Sequence, residues 1–192
     1  MINHNGIEGA VAAPQPRLDV GRDGMPITRI ISSGTLGAES AALDAAIRFR
    51  IPYGGYTNQG ALVPGDRPAG RYRLDERPYV DAMLLMRANL ERAGGLIIFS
   101  NGPYPDRIAP LMALAREADT PCLHVDFVVL APHDAAFHID AWVAAHALSE
   151  VFITGSEIRE DRQIYQRVHD ALTAFFMLIQ DASTPLAKRT LH

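Results

Sequence analysis

Residues 27–40 read ITRIISSGTLGAES, and the fold can be read outward from them. The β-branched run 27–32 predicts a strand, because such side chains fit a pleated surface. Ser32, Ser33, Gly34, Thr35 and Gly37 follow as a short loop of hydroxyls and glycines. A helix is expected from near Ala38, with Leu43, Ile47 and several alanines on one face of residues 39–50. A strand, a tight glycine loop and a helix start in this order can hold an anion. Glycine lets a ligand approach the backbone closely, and the first N–H groups of a helix carry partial positive charge. The loop is neither G-x-x-x-x-G-K-[ST] nor a full G-x-G-x-x-G. A tight turn capped by a serine or threonine is therefore the competing reading.

The same alternation continues to the C-terminus. Strands are expected at 51–56, 94–100, 121–127 and 149–155, and helices at 77–93, 106–118, 132–148 and 161–182. The stretch 57–76 reads as one long irregular loop containing PGDRPAG. Apolar strands alternating with helices argue for an α/β fold: an open, mostly parallel sheet with helices on both faces. Ligands of such sheets bind beyond the carboxyl ends of the strands. Here those ends read SSGTLG, GGYTNQG, SNGPYPD, DFVVLAPHD and TGSEIRED.

Several residues on these ends are candidates for binding. Gly54 and Gly55 are consecutive glycines at a strand end, which suggests close backbone approach, and Tyr56 either stacks on a base or packs. Asn89 points at the rim or belongs to a solvated helix face, where Arg87 and Glu91 pair at i, i+4. Gly155, Ser156 and Arg159 follow the last strand, and an arginine beside a Gly/Ser loop can clamp a phosphate. His133, His138 and His146 are spaced by five and eight residues, too irregularly to share one metal, so no metal site is expected.

The string RIISSGTLGAESAALDAAIRFRIPYGGYTNQG resembles the putative molybdenum carrier family, the circularly permuted YpsA-like proteins. These belong to the Rossmann-like superfamily (SLOG) that includes DprA-like and Lonely-Guy-type proteins. Its pattern I-I-S-G-G-Q-T-G-x-D-R-A-A-L-D is matched by Ser32, Gly34, Gly37, Ala41, Ala42, Leu43 and Asp44. Its I-P-x-G-G-W-x-P-x-G is matched by Ile51, Pro52, Gly54, Gly55 and Gly60, with Tyr56 for the tryptophan. Asn89, Gly155 and Arg159 match later family positions, and the likeness spans roughly residues 28–180. Ser33, Thr35, Leu36, Glu39 and Ser40 depart from the pattern, and serine at 40 removes an arginine charge from the rim. The resemblance implies a Rossmann-like sheet with a rim site for a nucleotide-like or anionic ligand. Lonely-Guy-type relatives hydrolyse nucleotide N-glycosidic bonds with a Pro-Gly-Gly-x-Gly-Thr loop followed by a glutamate. Gly34, Gly37 and Glu39 echo that loop loosely, which makes Glu39 the candidate catalytic carboxylate. A carrier of molybdate or another oxyanion is the third reading, because helix-start amides suit any small oxyanion.

The totals set limits. The chain has 192 residues and a net charge of −4, so it has no basic excess that would favour nucleic acid. Residues 1–26 are rich in proline and glycine and lack the basic and apolar regions of a secretory signal, so they read as an arm. Residues 27–192 read as one ligand-binding domain. One cysteine, Cys122, allows no internal disulfide and reads as a buried reduced thiol. The expectation is a cytoplasmic protein with no membrane span and no required cofactor, whose ligand is a nucleotide or oxyanion. Apolar helices such as 161–182 point to a homodimer or higher homo-oligomer.

Overall fold

The computed structural model describes residues 27–59, 71–78 and 81–183. The expected arm, Gly60 and the PGDRPAG run lie outside these residues. Among these residues, five parallel strands form the main sheet: β1 (Arg29–Ile31), β2 (Tyr53–Gly54), β5 (Gly95–Ser100), β6 (Cys122–Asp126) and β7 (Glu150–Gly155). Their spatial order is β2-β1-β7-β5-β6, so the last strand of the chain is inserted between the first and the fifth. Ile30 lies beside Tyr53 and Val151, and Ser100 lies beside Asp126. All neighbours run the same way, so the strand ends after residues 31, 54, 100, 126 and 155 share one rim.

Among the described residues, five α-helices cover the sheet: α1 (Ala38–Arg48), α2 (Ala82–Leu90), α3 (Ala109–Glu117), α4 (Pro132–Ala145) and α5 (Ile164–Ser183). The alternation of strand residues divides them between two faces. Ile30, Ile97, Phe99 and Ile153 pack with α1, α4 and α5, whereas Ile31, Leu96, Ile98 and Phe152 pack with α2 and α3. Ala41, Ala42, Ala45 and Ala46 are fully buried, and their small size lets α1 lie close to its neighbours. On α5 the apolar stripe of Val168, Leu172, Phe175, Phe176 and Ile179 is buried within the chain's own core. The excess of apolar residues that suggests a homodimer through this helix is thus accounted for inside one chain, with Met177 left exposed. No described helix is long and apolar enough to cross a membrane.

Two expectations are corrected here. The stretch 57–76 is not wholly irregular: β3 (Tyr56–Asn58) and β4 (Asp75–Arg77) form a second, two-stranded parallel sheet. The helix expected from 77 begins at Ala82, because Asp81 caps it by accepting from Met83 N at 2.7 Å, and Pro78 lies before it. Cys122 is half-buried, since β6 is an edge strand. Its Sγ donates to Thr120 O at 3.3 Å, and burial pushes its thiol up.

Candidate functional site

The loop after β1 is closed by a side chain of the helix it precedes. Glu39 is buried, with 5% of its surface exposed. Its Oε2 accepts from the Ser33 hydroxyl and from Thr35 N at 3.0 Å, and its Oε1 accepts from Thr154 Oγ1 at 2.8 Å. The anion nearest this loop is therefore the protein's own carboxylate. Ser40, where the family carries arginine, is fully buried, and its Oγ accepts from Gly37 N at 3.1 Å. Ser32 is also buried, and its amide donates to Gly54 O at 2.9 Å. Gly34 lies under Leu74 and Tyr72. Thr35 is exposed and Leu36 half-exposed, and the Leu36 amide has no acceptor among the described residues. The outward face of the loop is thus reduced to the Thr35 hydroxyl and the Leu36 amide.

The neighbouring loops lock onto this one. Gly37 has φ +130° and pairs with Glu157, and a Cβ there would stand 2.6 Å from Ser156 O. No side chain fits at that junction, so the loops after β1 and β7 touch through backbone. Gly55 (φ +134°) crosses β1 equally closely, with a virtual Cβ 2.2 Å from Ser32 O. Asn89 is fully buried: Tyr56 N donates to its Oδ1 at 2.6 Å, and its Nδ2 donates to Tyr56 O at 3.0 Å. Neither rim ligation nor a solvated face describes Asn89, which pins β3 to α2. Asn89→Ala removes both of these hydrogen bonds and is expected to cost about 2 kcal/mol in denaturant unfolding. The guanidiniums of Arg77 and Arg92 lie over the Tyr56 ring, at 5.1 and 4.7 Å from its centroid, so the ring packs against cations.

Arg159 extends into solvent, with its Nε 2.6 Å from a Glu157 oxygen. Arg107 touches the rim beside this loop: its Nη2 donates to Gly155 O at 2.6 Å and to Glu160 Oε2 at 3.1 Å. Burial works to lower its pKa, but the Glu160 hydrogen bond and the charges of Glu160, Glu157 and Glu39 outweigh burial and raise it. No pattern in 106–109 marks Arg107, which reaches the rim only through the sheet's strand order. The expected Arg87–Glu91 pair forms on the outer surface of α2 at 2.8 Å.

A serine and a histidine meet at the far end of the rim. Ser100 Oγ donates to Gly102 O at 2.5 Å and lies 2.7 Å from His124 Nε2. With the serine proton on a carbonyl, Nε2–H must be the donor to Ser100, which is the wrong direction for activating a nucleophile. Ser100 is also fully buried, so this pair is structural. Burial lowers the pKa of His124, and Asp126 opposes this only in part. The neutral ring is thus favoured in the folded state. Its stabilisation is complete above the ordinary imidazole value of about 6.5 and is lost as pH falls through the depressed folded value. Unfolding of the wild type at pH 7 and pH 5 should show this loss, and His124→Gln should flatten it. Asp126, held low by the Val128 and Gly102 amides, acts only in a more acidic window.

A doubly covered parallel sheet with glycine loops interlocked at one rim is the architecture of Rossmann-like ligand-binding proteins. Residues 30–176 match the family described as circularly permutated YpsA, SLOG family, and the chain belongs to it. A crystal structure of a putative molybdenum carrier protein from Syntrophus aciditrophicus SB is 36% identical. The likeness covers 79% of this chain and 96% of that one, with a TM-score of 0.73. No curated protein matches the chain.

Proposed function

We propose that the protein binds a nucleotide-like or other phosphorylated, anionic small molecule where β1, β5 and β7 end. The observation that carries this reading is the outward face of the first loop. The exposed Thr35 hydroxyl and the unpaired Leu36 amide stand together at the start of α1, within a rim whose backbone is closely interlocked. Both are donors, and the helix dipole favours negative charge there. The buried Glu39 carboxylate keeps such a ligand outside the loop rather than within it. Calorimetric titration against nucleoside mono-, di- and triphosphates tests the reading. Saturable binding is expected, weakened about tenfold in Thr35→Val by the loss of one hydrogen bond to a charged group. No binding of any member at millimolar concentration overturns it.

Two other readings are decided by the same preparation. An N-glycosidic hydrolase needs Glu39 for chemistry, yet that carboxylate already accepts from Ser33, Thr35 and Thr154. Release of base from a nucleoside monophosphate by the wild type, lost in Glu39→Gln, would establish the hydrolase. An oxyanion carrier is favoured by the name of the solved relative. It predicts molybdate retained through gel filtration and found by elemental analysis. A homo-oligomer would have to use surface other than the buried stripe of α5, and a monomeric mass by light scattering overturns it.

A further inference from the structure

Gly54 and Gly55 are adjacent, but only one of them is required by the chain's own packing. A Cβ on Gly55 would collide with the backbone of Ser32, whereas a Cβ on Gly54 would meet nothing within 4 Å. Gly54 also has no positive φ. It lies in β2, where glycine weakens a strand relative to almost any other residue. The open space in front of it is a pocket of about 180 Å³.

The pocket is built from cations. Arg29, Arg73 and Arg92 line it, against a single carboxylate, Asp75. Arg92 Nη1 pairs with Asp75 at 2.9 Å and Arg29 approaches Glu150 only to 3.9 Å. The Arg73 side chain has no hydrogen bond or ion pair with any described residue, while its backbone N–H donates to Tyr53 Oη at 3.4 Å. Three arginines against one carboxylate leave the lining of this cavity with a net positive charge, which favours an anion there. Guanidinium groups match tetrahedral oxyanions in geometry, donating in pairs. The volume falls below that of pockets for whole organic ligands, roughly 300–1,000 Å³, and suits one such group with a few waters.

We propose that this pocket is a phosphate-binding site in which Arg29, Arg73 and Arg92 grip the oxyanion and Gly54 leaves room for it. The phosphate is either free or the end of a phosphomonoester whose remainder lies outside the pocket. The proposal goes beyond the rim reading, because none of the three arginines belongs to the face formed by Thr35 and Leu36.

The test is titration of the full chain with inorganic phosphate and, separately, phenyl phosphate at constant ionic strength, followed by the Nε–H resonances of the arginines. Saturable shifts at Arg29, Arg73 and Arg92 are expected. Gly54→Val and Arg73→Ala should each weaken binding at least tenfold with unchanged circular dichroism and no fall in thermal midpoint. Asp75→Asn, which frees Arg92, should tighten it several-fold. Tighter binding of phenyl phosphate assigns the site to esters, and equal binding assigns it to the free anion. Shifts linear in phosphate, or Gly54→Val binding as tightly as the wild type, overturn the proposal. Thr35→Val reports separately on the rim, so either site can fail alone.

Discussion

Replacing Gly55 with alanine is expected to destabilise the protein by about 4 kcal/mol. Two costs combine. The new Cβ would stand 2.2 Å from Ser32 O and 2.9 Å from Ser32 N, both backbone atoms of the chain leaving β1. Neither can rotate away, and overpacking of this kind costs roughly 1–3 kcal/mol. The φ of +134° is also one that an L-residue adopts only under strain, for roughly 1–3 kcal/mol more. Denaturant unfolding should show a lower midpoint with an unchanged slope. Gly54→Ala is the matched control, and it should be neutral or stabilise by about 0.5–1 kcal/mol because alanine is better than glycine in a strand. A loss below about 1 kcal/mol in Gly55→Ala would mean that β1 and β2 can slide apart, and the interlocked rim would have to be abandoned.

That pair of glycines also marks where reading the sequence stops. Side by side in one dipeptide, Gly54 and Gly55 look alike, yet one faces backbone and the other an open pocket. The difference arises from the β1–β2 register, which pairing decides and composition does not. The helices were legible because apolar residues recur with a period of 3.6, and the sheet's strands because they are short apolar or β-branched runs. The strand order was not, because inserting β7 between β1 and β5 is a choice of crossover that leaves no local trace. Thr154 reaches the first loop, and Arg107 the loop after β7, only through that order, so no local pattern could place them there. Glu39 was legible as a carboxylate at the loop. That it faces inward, toward Ser33, Thr35 and Thr154, depends on a hydroxyl supplied 115 residues later. Asn89 followed the same logic. Its spacing on α2 fits a solvated face as well as a buried one, and the backbone of Tyr56 decided between them.

Asp44→Ala is the second large effect, expected at about 3 kcal/mol, and it carries a consequence for the rim. Asp44 is buried on α1, and its carboxylate gathers groups from two distant parts of the chain. Oδ1 accepts from Arg71 Nε at 3.1 Å, Arg71 Nη2 at 2.7 Å and Tyr72 Oη at 2.9 Å, while Oδ2 accepts from Tyr165 Oη on α5 at 2.5 Å. Removing one partner of a buried charged network leaves the rest uncompensated, at about 3–5 kcal/mol. Arg71 is partly open to water and can rehydrate, which places the effect at the lower end. The consequence follows from what Tyr72 covers. Its ring and the Leu74 side chain lie 3.3 and 3.1 Å from where a Cβ of Gly34 would be, so residues 71–74 roof the first loop. With Asp44 gone, the roof loses its charged anchor to α1 and keeps the longer bond from Tyr72 Oη to Ser40 O at 3.3 Å, so amide exchange at Gly34 and Thr35 should accelerate beyond the change in global stability. Tyr165→Phe removes only the α5 contact. It should cost about 1 kcal/mol and leave exchange in the loop nearly unchanged, because Arg71 and Tyr72 still hold Oδ1. Equal exchange rates in wild type and Asp44→Ala would show that the roof is held without Asp44, by the packing of Tyr72 and Leu74 and the Tyr72–Ser40 hydrogen bond. The carboxylate matched to the family's A-A-L-D motif would then serve α1 and α5 rather than the loop.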